Sequence, residues 1–453
     1  MNAALIHNTR DSSLDELARL ADVCDDVLRR CRAAGASEAE VAASIDTGLD
    51  VGVRLGEVET ITRTRDRGVS LTVLFGKRKG SASTADLDPE SIARTVEHAC
   101  AIARYTEEDP CNGLADPALY ARDFPDLDLW HPWPIGVEEA IELGLRIEDA
   151  GRSFDPRISN SEGAAVQVGE SVLANANSAG FRGVERSTRH LLSCALIAED
   201  DAGMQQNYWY DAVRSAGDFA DAESIGRRAA ERTVARLDAR RLSTRECPVV
   251  FVPEVARGLI GHFLSAVSGG ALYRRASFLV DHLGKPVFPS FVQMTERPRL
   301  PRGHGSSVFD AEGVATRDAD LVRDGVLARY ILGSYSARKL GMATTGNAGG
   351  IHNLVVTPGS DDLPALLRRM GTGLLVTEVM GQGVSLITGD YSRGASGFWV
   401  ENGQIVHPVE EITIASNLRA MFAGIVAIGA DVDPRSHLLT GSILIDRMTI
   451  AGE

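Results

Sequence analysis

Cysteine is scarce in this sequence, and its spacing excludes several chemistries. The six cysteines (Cys24, Cys31, Cys100, Cys111, Cys194 and Cys247) form no C-x-x-C pair, and none follows Cys247. That pattern suits reduced thiols better than a disulfide framework or a zinc ribbon. Long hydrophobic runs are missing too. The longest, Met421 to Ala430, falls well short of the roughly 18 residues a membrane-spanning helix needs. The N-terminus has no basic stretch leading into an apolar one, so no signal peptide is expected. Positive charge is in deficit: a net charge of -15 argues against non-specific nucleic-acid binding and against adsorption to anionic membranes. Together these absences point to a cytoplasmic protein that engages neither nucleic acid nor membrane.

Familiar catalytic motifs are absent as well. There is no G-x-x-x-x-G-K-[ST] loop, no G-x-G-x-x-G after a strand and no G-x-S-x-G elbow. The ten histidines are scattered, and no two form H-x-x-x-H or H-E-x-x-H. A helix-borne pair of metal ligands is therefore missing. His262, His304 and His352 all fall in the C-terminal half, and nothing in the pattern chooses among them.

What is present is material for more than one core. At 453 residues, with 44% apolar and 24% charged residues, the chain is expected to form two or three domains. Ser13 to Ala34 carries Leu14, Leu17, Leu20, Ala21, Cys24, Val27 and Leu28 at helical spacing. Alternating residues follow, with turns expected near Gly56 and at Asp66-Arg67-Gly68, and then a helix from Pro89 to Tyr105. A proline-rich connector, 107–136, is expected to be packed down by Trp130 and Trp133. A helix (Val137 to Arg152), a β-rich stretch (Ile158 to Val213) and a helix (Ala222 to Leu237) repeat the first order. From 247 onward glycine is dense and helices are few, apart from one at Leu363 to Met370. Asp324-Gly325 and Asn402-Gly403 mark tight hairpins. The fold class is thus α+β. It comprises an α/β subdomain (1–106), the connector, a second α/β subdomain (137–246) and a β-rich, barrel-like C-terminal domain (247–453) with curved antiparallel sheets.

"PEVARGLIGHFLSAVSGG", Pro253 to Gly270, reads as a further helix. Val255, Leu259, Ile260, Phe263, Leu264 and Val267 fill one arc, with Arg257, Gly258, Gly261 and Ser265 opposite. His262 falls on the boundary, where a hydrogen-bonded histidine is the expected reading, and Glu254 suits the first helical turn. Arg274, Arg275, Arg297, Arg299 and Arg302 are read as solvated loop residues, with a place for a carboxylate-bearing peptide or partner surface as the alternative.

Three long strings carry a resemblance: "GGALYRRASFLVDHLGKPVFP", "ILGSYSARKLGMATTGNAGGIHN" and "MGTGLLVTEVMGQGVSLITGDYSRGASGFWVENGQIVHPVEEITIASNL". They resemble the TldD/PmbA family, and specifically its PmbA (TldE) branch. The resemblance implies a heterodimeric cytoplasmic zinc peptidase acting on small or unfolded peptides. The TldD-type subunit of such a pair holds the zinc with an H-E-x-x-x-H helix and a later cysteine. Aligned on Gly261-His262, that motif puts Arg257 at the first histidine and Gly258 at the glutamate. Arginine stays protonated and cannot ligate zinc, and glycine cannot act as a base. The resemblance therefore implies no catalytic and no metal-binding residue in this chain, with Arg257, Gly258 and His262 at the degenerate positions. Zinc is expected in a TldD-type partner. The alternatives are a self-sufficient metallopeptidase with a rearranged site, and a stand-alone peptide-binding regulatory protein.

Overall fold

A computed structural model describes residues 8–201 and 203–452. The reading of the N-terminus as lacking a signal peptide falls partly on residues 1–7, outside the described residues. Among the described residues no helix is long and apolar enough to cross a membrane.

The N-terminal half is built on one six-stranded antiparallel sheet. It contains β1 (Glu38–Arg54), β2 (Glu57–Phe75), β3 (Arg78–Thr84), β4 (Ile158–Asn177), β5 (Arg182–Asp200) and β6 (Gly203–Val213), in the order β3-β2-β1-β4-β5-β6. The repeated helix, strands, helix order thus resolves into two three-stranded meanders joined through β1 and β4, with Gly48 opposite Gly169. Alternate residues of β1 are buried, as expected of a sheet with one covered face. The helices α1 (Asn8–Ala33) and α2 (Pro89–Tyr105) cover one end, where Leu20, Val27, Val41, Val73 and Val96 form a core. The helices α3 (Val137–Arg152) and α4 (Ala222–Val234) cover the other, around Val51, Ile147, Val166, Leu196 and Ile225. The two helices cross so closely that a Cβ at Gly226 would lie 1.9 Å from the Ile147 carbonyl oxygen. Trp130 packs against the first core and Trp133 against the second, holding down the connector as expected.

Two local expectations need correction. Asp66-Arg67-Gly68 is no turn: β2 runs through it, with Gly68 paired to Ser44, and the chain reverses only at Gly76. Ladder pairing with β1 outweighs the local turn preference. In α1, Leu17, Leu20, Cys24, Val27 and Leu28 are buried, but Leu14 is 52% exposed.

The C-terminal half contains a closed barrel. Its sheet takes β7 (Arg245–Phe251), β12 (Gly373–Met380), β13 (Asp390–Glu401), β14 (Gln404–Asn417), β15 (Ile425–Ile428) and β17 (Ile443–Ala451). The order is β14-β13-β12-β7-β17-β15, and a further β14–β17 pairing closes five of these strands on themselves. A smaller sheet, β10-β9-β8-β11-β16, joins β8 (Met294–Glu296), β9 (Ala319–Arg323), β10 (Val326–Leu327), β11 (Leu354–Val356) and β16 (Leu438–Leu439). Asp324 and Gly325 turn β9 into β10, and Asn402 and Gly403 turn β13 into β14, all four with positive φ. The remaining helices are α5 (Pro253–Ala266), α6 (Gly269–Tyr273), α7 (Ser334–Lys339), α8 (Leu363–Met370) and α9 (Leu418–Ala423). Phe263 of α5 meets Phe288 at 4.9 Å and Phe422 at 5.8 Å between ring centroids, anchoring α5 in the largest core. The architecture is the expected α+β class with a barrel-like C-terminal domain.

Candidate functional site

The helix α5 leaves the barrel directly. β7 ends at Phe251, Val252 is the N-cap, and Pro253 supplies the fixed φ suited to the first helical position. Val255, Ala256, Leu259, Ile260, Phe263, Leu264 and Ala266 are buried, in line with the apolar arc read from the sequence. Gly258 and Ser265 are exposed. A Cβ at Gly258 or at Gly261 would meet nothing within 4 Å, so this flank of the helix is open.

The first turn carries a charge network. Arg435, from the segment between β15 and β16, holds Asp433 through two parallel hydrogen bonds of 2.8 and 3.1 Å. It also reaches Glu254 at 3.2 Å and the Tyr210 carbonyl oxygen at 2.7 Å. Its guanidinium lies 4.0 Å from the centroid of Trp209 and 4.5 Å from that of Tyr210. Arg257 donates to the Tyr210 hydroxyl at 3.1 Å and stands 3.4 Å from Asp433. Arg232 of α4 stands 3.6 Å from Glu254. Burial alone would raise the Asp433 carboxyl, but hydrogen bonds and charge from Arg435, with Arg257 behind it, hold it below its ordinary value. Glu254 is thus more than a residue favoured by the helix dipole: it ties α5 to α4 and to Arg435.

His262, about one and a half turns beyond Arg257, is a different case. Its ring meets the edge of Tyr391 at 6.0 Å, and Nε2 is buried with no hydrogen-bond partner among the described residues. Burial, and then the nearby Arg393, lower its affinity for a proton. The histidine is at the boundary as expected, but among the described residues Nε2 lacks the expected hydrogen bond.

Residues in the motif positions do not fit a zinc ion. Arg257 is a cation engaged with Asp433, Gly258 has no side chain, and a zinc site needs about three protein ligands. Among the described residues no group of three or more His, Cys, Asp or Glu side chains has the geometry to hold a metal ion. His352 is taken by Glu296, which accepts from its Nδ1 at 2.9 Å and its backbone N–H at 2.8 Å. Asn347 and Arg329 also bind Glu296. His304 lies near Arg214, Arg189 and His437, and burial, followed by those arginines, pushes it down to about 4. Cysteine nucleophiles are no better supported: burial pushes Cys24, Cys31 and Cys194 up to about 12 and Cys247 to about 11.

The five loop arginines do not converge on one ligand. Arg302 bonds Asp128 at 2.6 Å and Asp218 at 2.7 Å. Arg299 faces Asp123, Arg297 faces Asp318 and Arg275 faces Asp281, while Arg274 lies over the Tyr273 ring. Sequence reasoning did not find Trp209, Tyr210, Asp433 or Arg435, which lie far from α5 along the chain. The one local signal was the dense charge of Asp431-Val432-Asp433-Pro434-Arg435 directly after the apolar run that ends at Ala430.

A two-layer α/β half joined to a closed barrel, with a helix leaving the barrel toward the first half, matches a known family. Sequence models for the PmbA/TldA metallopeptidase match domain 1 at 39–103, the central domain at 130–237 and the C-terminal domain at 244–452. The chain is 49% identical to metalloprotease PmbA of Escherichia coli O157:H7, over 93% of this chain and 94% of the relative. A PmbA homologue of Haemophilus influenzae is also 49% identical, over 92% and 93%. The chain therefore belongs to the PmbA/TldD metallopeptidase family, in its PmbA (TldE) branch. Among solved structures, a candidate modulator of DNA gyrase from Bacteroides thetaiotaomicron superposes with a TM-score of 0.90 at 26% identity, covering 95% of this chain and 98% of that one. TldE of Thermococcus kodakarensis shares the fold with a TM-score of 0.83 at 21% identity, covering 95% and 100%.

Proposed function

We propose that this chain is the non-catalytic subunit of a cytoplasmic two-subunit zinc peptidase that degrades or processes small or unfolded peptides. Its partner is a TldD-type chain carrying H-E-x-x-x-H, which holds the zinc and supplies the base for hydrolysis. This chain helps enclose the peptide and contributes binding surface. One observation carries the reading: Arg257, at the position of the first zinc ligand, is committed to an ion pair with Asp433 and a hydrogen bond to Tyr210. A residue held in that way stabilises the junction of the two halves and cannot be recruited to a metal. The open flank at Gly258 and Gly261 leaves room beside the helix for peptide or partner.

The test is reconstitution. The purified chain mixed with its TldD-type partner is expected to form a stable complex by light scattering and to cleave an unfolded peptide. Cleavage by the partner alone at the same rate would contradict the proposal.

A further inference from the structure

Between the two halves lies a cleft of about 710 Å³, bounded by β6 and α4 on one side and by the start of α5, β12, β13 and β14 on the other. Leu375, Phe398 and Ile405 give it an apolar wall, and Trp209 and Arg232 face them from the N-terminal half. The charges that meet at its end are not evenly matched. In the network at its end, three guanidinium groups (Arg232, Arg257 and Arg435) share two carboxylates, Glu254 and Asp433. The other acids of the cleft are committed elsewhere. Asp431 accepts from the N–H and hydroxyl of Ser442, Asp211 accepts from the N–H of Ala220, and Glu231 pairs with Arg228 at 3.0 Å.

Arg232 is left short. It makes no hydrogen bond among the described residues, its Nε is buried without a partner, and its one carboxylate, 3.6 Å away, is held more closely by Arg435. Its guanidinium carbon lies 4.9 Å from the Trp209 ring centroid. A half-buried guanidinium with free donors beside an apolar wall is a binding element for a carboxylate with an apolar body. An anion here would complete an arginine that folding leaves under-neutralised, and burial of its apolar body would add to the affinity.

We propose that this cleft binds the C-terminal residue of a peptide, its free carboxylate on Arg232 and an apolar side chain against Leu375 and Phe398. The inference rests on the peptide-handling reading above and gives it a polarity: the peptide end, and not only its middle, is held by this chain. Ile405 is 51% exposed and forms part of the wall, so it can be changed without opening the core.

Isothermal titration of the full chain alone, with acetyl-alanyl-leucine, its C-terminal amide and isocaproate as separate ligands, tests this. The acid is expected to bind at least about tenfold more tightly than the amide. R232Q should abolish that preference while leaving the thermal midpoint near that of the parent chain. Ile405→Glu, which sets a like charge on the wall, should weaken the acid more than the amide and so shrink the preference, and it provides the test should R232Q fold poorly. Equal binding of acid and amide, or a preference that survives both variants, would overturn the proposal. Isocaproate binding as tightly as the peptide acid would overturn the assignment to a peptide end. These titrations use no partner subunit. A pair that cleaves peptide while the chain shows no acid preference would leave the proposed function standing and this inference refuted.

Discussion

Arg257 and His262 lie on one helix, about one and a half turns apart, in opposite circumstances. Arg257 is half-buried in a network that joins α5, β6 and the segment before β16, paired with Asp433 and bonded to the Tyr210 hydroxyl. His262 has a buried nitrogen with no hydrogen-bond partner among the described residues, and an aromatic edge for company. If the first position still served metal binding, the reverse would be expected: a free ligand there and a supporting hydrogen bond on the histidine. The contrast shows α5 working at its start as a strut between the two halves, with an open flank over its middle.

The strongest way to break this comparison is to remove the anion at the centre of the network. Asp433→Ala leaves Arg257 and Arg435 without their shared partner and is expected to cost about 3–5 kcal/mol in chemical denaturation. By contrast, Arg302→Ala, which loses only exposed ion pairs, should cost under about 1 kcal/mol. A similar loss in the two variants would mean that the network is no stronger than surface charge.

Next in size is the pH response of the under-partnered histidines. Burial keeps His262 and His304 neutral, and His304 is held down to about 4 from an ordinary 6.5. On acidification the unfolded chain takes up the proton first, so this contribution is full above pH 6.5 and is lost as pH falls toward 4. Asp310, raised by burial to about 6, acts in the opposite sense, stabilising at low pH. The difference between parent and variant therefore isolates each histidine. His304→Gln is expected to gain about 1–3 kcal/mol on the parent between neutral pH and pH 4, and His262→Leu to gain in the same direction. A difference curve that is flat would show that neither histidine is held neutral.

The smallest effect sharpens the other side of the contrast. Because a Cβ at Gly258 meets nothing within 4 Å, Gly258→Ala should stabilise the isolated chain by about 0.5–1 kcal/mol through helix propensity alone. A loss of stability would mean that the flank is packed in solution.

Much of the fold was legible because local chemistry and long-range packing agree. The helix starts read at Pro89, Pro253 and Leu363 are kept by the structure, the last with Asp362 as a cap that accepts from the Ala365 N–H. The Asp-Gly and Asn-Gly hairpins turn where their positive φ values allow. The reading failed at Asp66-Arg67-Gly68, where a turn-prone triplet is held straight by seventeen residues of β1. For the site, the proposed absence of metal ligands at Arg257 and Gly258 comes from alignment to the resembling family. The network around Arg257 could not be read that way: Asp433 lies 176 positions from Arg257 (433 − 257), and no local periodicity links the two.

The central claim is that the chain supplies structure and binding surface while the zinc belongs to its partner. Metal analysis of the purified chain, alone and in the reconstituted pair, tests it most directly. The account predicts zinc far below stoichiometric in the chain alone and about one ion per pair. Near-stoichiometric zinc in the single chain, lost together with peptidase activity in His262→Ala, would contradict it.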